Sequence, residues 1–318
     1  MEDKNEKKLI VLAGPTAVGK TSLSIRLAKA IGGAVISADS MQVYRGMDIG
    51  SAKIRPEERE EVPHYLIDVL DPREEFHVVR FQELAREALA EIYAAGQIPI
   101  LTGGTGFYIQ ALLYDIDFTE QEEDPALRAR YEAIAREQGA GELHRMLEDI
   151  DPVSAESIHE NNVKRMIRAL EFYEQSGVTI SSHNERERQK ESPYRFCYFV
   201  LTEDRERIYA RIDERVDGMI RDGLVEEVRA LREDGCSRDL VSMQGLGYKQ
   251  LLAWLDGEIS YEEAIRTIKR DTRHFAKRQM TWFRRERDVV WIDKADYDWD
   301  EERILAHMLE ILRGKRII

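Results

Sequence analysis

Residues 14–21, Gly-Pro-Thr-Ala-Val-Gly-Lys-Thr, have the spacing G-x-x-x-x-G-K-[ST] and follow the apolar run Leu9-Ile10-Val11-Leu12. Glycines at the first and sixth positions let a backbone turn its N–H groups inward, and a helix opening at the lysine adds positive potential for an anion. In such a loop Gly14, Thr16, Ala17, Val18 and Gly19 surround a phosphate chain. The Lys20 ammonium neutralises its terminal group, and the Thr21 hydroxyl is placed for Mg2+. The motif specifies a phosphate chain and leaves open whose it is. Enzymes that cleave ATP usually offer a carboxylate at the end of a neighbouring strand. Here Ile98–Thr102 runs into Gly103-Gly104-Thr105-Gly106 without one. Asp68 and Asp71 in YLIDVLD remain candidates whose place in a sheet the sequence does not reveal. A GTP switch would need D-x-x-G, which is absent, and Asp293-Lys294-Ala295-Asp296 reads as an accidental echo of a guanine-reading N-K-x-D.

A second cluster follows the next strand-like segment. Asp39 is the first residue beyond Ala34–Ala38, and ligands of open parallel sheets sit at the carboxyl ends of strands. Its carboxylate is therefore aimed at the phosphate crevice, although a turn or helix N-cap aspartate has the same local pattern. Ser40 and Gln42 add groups able to read a base edge, and Thr105 occupies the corresponding place after a later strand.

The elements carrying these residues alternate strand and helix. Leu9–Leu12, Ala34–Ala38, Tyr65–Val69 and Ile98–Thr102 read as strands, with helical periodicity over Thr21–Ile31 and Val79–Ala95; that order is α/β with a mostly parallel sheet. From about Thr119 to Glu191 the chain is polar, Arg/Glu-rich and helical, which predicts a helical insertion (119–191) between two halves of a core (1–118 and 192–318). Its last part, SSHNERERQKESP at 181–193, reads as a flexible return. Phe196–Leu201 and Val289–Ile292 read as strands rejoining the sheet. Helices are expected at 204–220, 224–234, 246–256 and 300–313, and a long one opens at a Ser260/Glu263 capping box.

With 318 residues, 43% hydrophobic and 34% charged, the chain can bury a large core and carry a module. No apolar run approaches the roughly 18–20 residues of a membrane span, and the charged N-terminus argues against a cleavable leader. Two isolated cysteines, Cys197 and Cys236, fit a reducing cytoplasm. Nothing suggests a dedicated subunit interface, so a monomer is expected. The net charge of −14 masks a local reversal: residues 266–287 hold nine Lys/Arg against Asp271 and Glu286. Arg266, Arg270, Arg273, Lys277 and Arg284 recur at steps that share one helix face. The aromatic residues Phe275, Trp282 and Phe283 of that helix read as core.

GPTAVGKT, ISADSMQVYRGMDIGSAK, LTGGTGFYIQALL, IHENNVKRMIRALE, ERVDGMIRDGLVEEV, SMQGLGYKQ and AKRQMTWFR resemble, in this order, the motifs of the tRNA dimethylallyltransferases. The resemblance implies a P-loop NTPase-like α/β core with an all-helical insertion that contacts the anticodon stem-loop. It implies transfer of a dimethylallyl group from dimethylallyl diphosphate to N6 of adenosine 37 in tRNA, with Mg2+ as cofactor. The family pattern places Asp39 as general base and Thr105 and Arg215 at the diphosphate. It places Ser40, Met41, Gln42, Arg128, Lys164, Arg165, Arg168 and Gln244 against the tRNA. Three other readings share the phosphate loop. One is an isopentenyltransferase acting on free adenine nucleotides, another is a small-molecule kinase, and the third is a non-catalytic, nucleotide-dependent RNA-binding protein in which Asp39 and Thr105 would be dispensable.

Overall fold

The structure, a computed structural model, describes residues 7–118 and 124–318. Most of the charged N-terminal stretch, and Thr119 where the insertion was expected to begin, lie outside the described residues. The chain divides into two compact units, one of residues 1–113 and 192–318 and the other of residues 114–191. The boundary of the helical unit thus falls at Tyr114, a few residues before the change in composition.

The first unit is built on a six-stranded sheet in which every neighbouring pair is parallel. Strand β1 (Lys8–Ala13) leads through the phosphate loop into helix α1 (Lys20–Ile31), and β2 (Gly33–Ala38) follows. Then come β3 (His64–Tyr65), α2 (Val78–Ala94), β4 (Ile98–Gly103) and α3 (Gly106–Leu113). Sheet order is β3-β2-β4-β1 on one side of the phosphate loop, and two later strands extend it on the other. Strands buried on both faces need near-continuous apolar runs, and Leu9 through Ala13 are fully buried. Strand β3 is only two residues long, not the expected run to Val69. Leu66 (φ 61°) and Asp68 (φ 59°) adopt left-handed backbone, which cannot continue a strand.

The second unit holds α4 (Pro125–Glu137), α5 (Ala140–Ile150), α6 (Pro152–Ser157), α7 (Val163–Ser176) and α8 (Ile180–Gln189). Leu143, Leu147, Met166 and Leu170 form the centre of its own apolar core. Helix α8 replaces the expected flexible return. Thr179 caps its start, and the buried Asp151 carboxylate accepts from Ser181 N–H (3.0 Å) and its hydroxyl (2.6 Å), anchoring the first turn.

In the first unit, β5 (Arg195–Thr202) pairs with all of β1 through its residues 195–200. Helices α9 (Arg205–Arg221), α10 (Leu224–Glu233), α11 (Tyr248–Leu255) and α12 (Tyr261–Phe283) follow. Ser260 caps α12 as its sequence suggested, accepting from Glu263 N–H. Edge strand β6 (Val289–Asp293) and α13 (Glu301–Gly314) complete it. Among the described residues no helix is long and apolar enough to cross a membrane.

Candidate active site

A pocket of about 550 Å³ opens at the carboxyl ends of β1, β2 and β4. Thr16, Ala17, Gly19, Lys20 and Thr21 line it from the phosphate loop, Asp39 to Gln42 from the loop after β2, Thr105 from the loop after β4, and Arg215 from α9. Gly14 and Val18 stand behind this wall, both buried. Gly19 has φ 96°, a conformation that gives the loop its turn into α1 and that other residues rarely adopt.

The loop after β2 is held open by side chains distant in sequence. The Glu227 carboxylate accepts from the N–H groups of Asp48 (2.9 Å), Ile49 (2.7 Å) and Gly50 (3.1 Å) and from the Tyr248 hydroxyl (2.6 Å). Lys53, almost wholly buried, donates to Tyr44 O, Asp48 and Asp68. The motifs MDIGSAK, GLVEEV and GYKQ therefore meet one another as a brace. Their contacts explain their residue types without any ligand.

Three charges face one another. Lys20 Nζ donates to Gly14 O (3.0 Å) and Pro15 O (2.8 Å). Burial first, and then Arg215, push its pKa down to about 7, with Asp39 partly opposing. Burial raises the Asp39 pKa above the usual carboxylate range, against the N–H groups of Met41 and Gln42 and the charges of Lys20 and Arg215. Asp39 Oδ1 accepts from Met41 N–H (2.8 Å) and Gln42 N–H (3.4 Å), which aims the carboxylate. Arg215 Nη1 donates to Thr16 Oγ1 at 3.4 Å, setting a second cation at the loop. A cationic grip and a basic carboxylate thus share one cavity.

Not every residue singled out by sequence presents a free group. The Gln42 amide is engaged within its own loop, accepting from Ser37 Oγ (3.1 Å) and donating to Ser51 O and Ala52 O (both 3.4 Å). The Gln244 amide donates to Arg238 O (2.6 Å), although its residue lines the pocket mouth. In the helical unit, Lys164, Arg165 and Arg168 are exposed on α7, whereas Arg128 forms a two-point ion pair with the buried Glu171 (3.0 Å each). Part of the basic face of α12 is neutralised: Arg266 pairs with Glu263, Arg270 with Asp271 and Arg273 with Asp213. Phe283 is core as expected, but Phe275 lines the pocket, with Arg278 5.8 Å from its ring.

Phe76, Tyr108 and Lys249 also line the pocket and were not anticipated. Tyr108 packs edge-on to Phe76 at 5.5 Å and stacks on Phe81 at 4.7 Å. No spacing rule signals an aromatic wall assembled from a loop and two helices.

The alternatives that require other groups find little support. Asp68 pairs with Lys53 and Asp71 with Arg73, and neither lines the pocket. Lys294 of the guanine-motif echo donates to Val18 O (3.3 Å) from behind the loop, and no residue of that echo reaches the cavity. Among the described residues no cluster of three or more metal-ligating side chains exists. The pocket offers the Thr21 hydroxyl and a single carboxylate. That donor set fits Mg2+ carried largely by phosphate oxygens and water, as this ion commonly is.

Known proteins resemble this chain over nearly its whole length. The family model for IPP transferase matches residues 42–286, and the isopentenyl transferase model matches residues 7–70. The tRNA dimethylallyltransferase of Lachnoclostridium phytofermentans is 59% identical over 98% of this chain and 99% of its own. That of Carboxydothermus hydrogenoformans is 52% identical over 91% and 93%. The full-length tRNA isopentenylpyrophosphate transferase of Bacillus halodurans superposes with a TM-score of 0.73 at 43% identity, covering 98% of each chain. A eukaryotic dimethylallyltransferase solved acting on tRNA gives a TM-score of 0.80 at 30% identity, over 97% of this chain and 80% of that one. From the matched models, the near-full-length identity and the shared parallel-sheet fold, the chain belongs to the tRNA dimethylallyltransferase family and is a prenyl-transferring enzyme.

Proposed function

We propose that the pocket moves a dimethylallyl group from dimethylallyl diphosphate to the exocyclic N6 of adenosine 37 in tRNA. The observation that supports this most is the placement of Asp39, a carboxylate of raised pKa, in the same cavity as the phosphate loop. In the reaction the C1–O bond of the donor breaks, the N6–C1 bond forms and one N6 proton must leave. N6 is a weak nucleophile because its lone pair is delocalised into the ring. A carboxylate desolvated enough to be basic, and ionised before the step, accepts that proton. Lys20, Arg215 and the backbone N–H groups of the loop stabilise the charge that develops on the departing diphosphate. Thr105 lines the cavity within reach of the same leaving group. Mg2+, when bound, supplies further positive charge there, held by the Thr21 hydroxyl and the diphosphate itself.

The adenine has to leave its stack to reach such a cavity, which costs a few kcal/mol in a single-stranded loop. Ser40 and Met41 at the pocket wall and Phe275 with Arg278 at its side are suited to receive it. The acceptor is tested with labelled dimethylallyl diphosphate and unmodified tRNA. Label is expected in the tRNA, and none when adenosine 37 is replaced by guanosine, which has no exocyclic amine at C6. Undiminished labelling of the guanosine tRNA would refute the assigned acceptor.

The exposed α7 cations carry a separate expectation. Replacing Lys164, Arg165 and Arg168 together with alanine should weaken tRNA binding. The slope of log K against log salt should fall by about 2, since each phosphate contact contributes roughly 0.7–0.9. Binding titrations at several salt concentrations measure this, and an unchanged slope would remove α7 from the tRNA surface.

A further inference from the structure

We propose that Gln279 is a positioning residue that sets the distance between the leaving-group grip and the general base. The inference rests on the reading of Lys20 and Asp39 given above. Gln279 is buried on the penultimate turn of α12 and touches neither charge. Its Oε1 accepts from Thr16 N–H at 2.8 Å, and its Nε2 donates to Gly104 O at 3.0 Å. One amide therefore joins the phosphate loop to the loop that carries Thr105.

Both ends of this link lead directly to the chemistry. On one side Thr16 follows Pro15, whose carbonyl holds Lys20 Nζ, and the Thr16 hydroxyl accepts from Arg215. On the other side Thr105 N–H donates to Ala38 O at 3.3 Å, and Ala38 precedes Asp39. The path from diphosphate grip to proton acceptor runs through Thr16, Gln279, Gly104, Thr105 and Ala38. An amide serves both ends at once, its oxygen accepting from one partner and its nitrogen donating to the other. The packing leaves no slack, since a Cβ on Gly104 would lie 2.0 Å from Gln279 Nε2. Three residues further along α12, Trp282 packs as closely against Gly106, so the whole loop is seated on this helix.

The same helix lines the pocket through Ile268, Thr272, Phe275 and Arg278. A side chain that contacts the incoming base and one that sets the diphosphate loop are thus adjacent on one rigid element. Transfer needs the reacting atoms within a narrow range, and a misplacement of about 1 Å can cost on the order of 100-fold in rate.

Two variants separate the two bonds. Gln279→Glu keeps an acceptor for Thr16 N–H but turns a second oxygen toward Gly104 O, whereas Gln279→Met keeps the volume and loses both bonds. Gly104→Ala displaces the amide without altering it. For all three, kcat per folded enzyme is expected to fall by about 10- to 100-fold. For Gln279→Met and Gly104→Ala, which add no charge beside the phosphate loop, the KM for tRNA and the Kd for inorganic diphosphate should stay within about threefold of wild type. Melting temperatures and active-site titration normalise the rates to folded protein. A merely structural Gln279 would lower the folded fraction and leave kcat per site within twofold, and that result would overturn the proposal. Equal losses in kcat and diphosphate affinity would overturn it too, by making Gln279 part of the binding grip. Wild type and Asp39→Asn are run alongside. An inactive wild type would strike at the assigned reaction and a fully active Asp39→Asn at the assigned base, whereas an unaffected Gln279→Met beside a normal wild type strikes only at this inference.

Discussion

Asp39→Ala is expected to lower kcat by about 10²–10⁴-fold, the usual contribution of a positioned general base. Its effect on diphosphate affinity should be far smaller, because the carboxylate acts on the acceptor. The alanine variant alone is ambiguous, since Asp39 also organises the turn that carries Ser40, Met41 and Gln42 by accepting from two backbone N–H groups. Asp39→Asn resolves this. Its amide oxygen can still accept both bonds, but the side chain can no longer take a proton. The asparagine variant should therefore be nearly as inactive as the alanine one. Steady-state kcat with separately measured diphosphate Kd decides the matter. Near-normal turnover in Asp39→Asn would reduce Asp39 to a brace, while equal losses in turnover and affinity would make it a ground-state binding residue. Asp39 supports the charge of Lys20, so part of any affinity loss in these variants comes from Lys20, and that part shrinks as pH falls.

Lys20→Met should weaken diphosphate binding by about 2–3 kcal/mol, roughly 30- to 150-fold, the scale of a charge-assisted bond in a desolvated site. A pH signature belongs to the same residue. With its pKa lowered to about 7 by burial and Arg215, Lys20 in the free enzyme loses its proton as pH rises through neutrality. A bound diphosphate favours the charged form, so above pH 7 binding takes up a proton. Affinity should be level below the free-enzyme pKa and fall by up to about tenfold per pH unit above it. Calorimetry in buffers of different ionisation enthalpy reads the proton uptake directly. No uptake in wild type, or the same uptake in Lys20→Met, would contradict this account of the grip.

How far the sequence was legible depended on whether a signal was local. Strands β1, β2 and β4 are buried on both faces, so each needs a continuous apolar run that can be read from the chain. A phosphate loop is local by construction, and Asp39 and Thr105 stand just beyond strand ends. Their arrival in one pocket follows from the parallel sheet that aligns those ends. Strand β3 was misjudged because its apolar letters continue while left-handed backbone at Leu66 and Asp68 turns the chain away. Helix α8 was misjudged because its anchor is Asp151, whose role appears only when that residue is folded against Ser181. Gln279 carries no local signal, since its partners lie 263 and 175 residues away. The engagement of Gln42 with its own loop is likewise a product of folding, and it shows that an amide beside a pocket need not be available to a ligand.

On the proposed function, the loop Gly14–Thr21 holds a diphosphate that departs whole, in place of phosphates that are cleaved. The most direct measurement follows dimethylallyl diphosphate, unmodified tRNA and Mg2+ in the complete absence of ATP, counting label in tRNA and inorganic diphosphate released. The expected result is one diphosphate for each dimethylallyl group transferred, with Lys20→Met and Asp39→Asn both strongly impaired. A requirement for ATP, with ADP or orthophosphate formed in step with transfer, would contradict it.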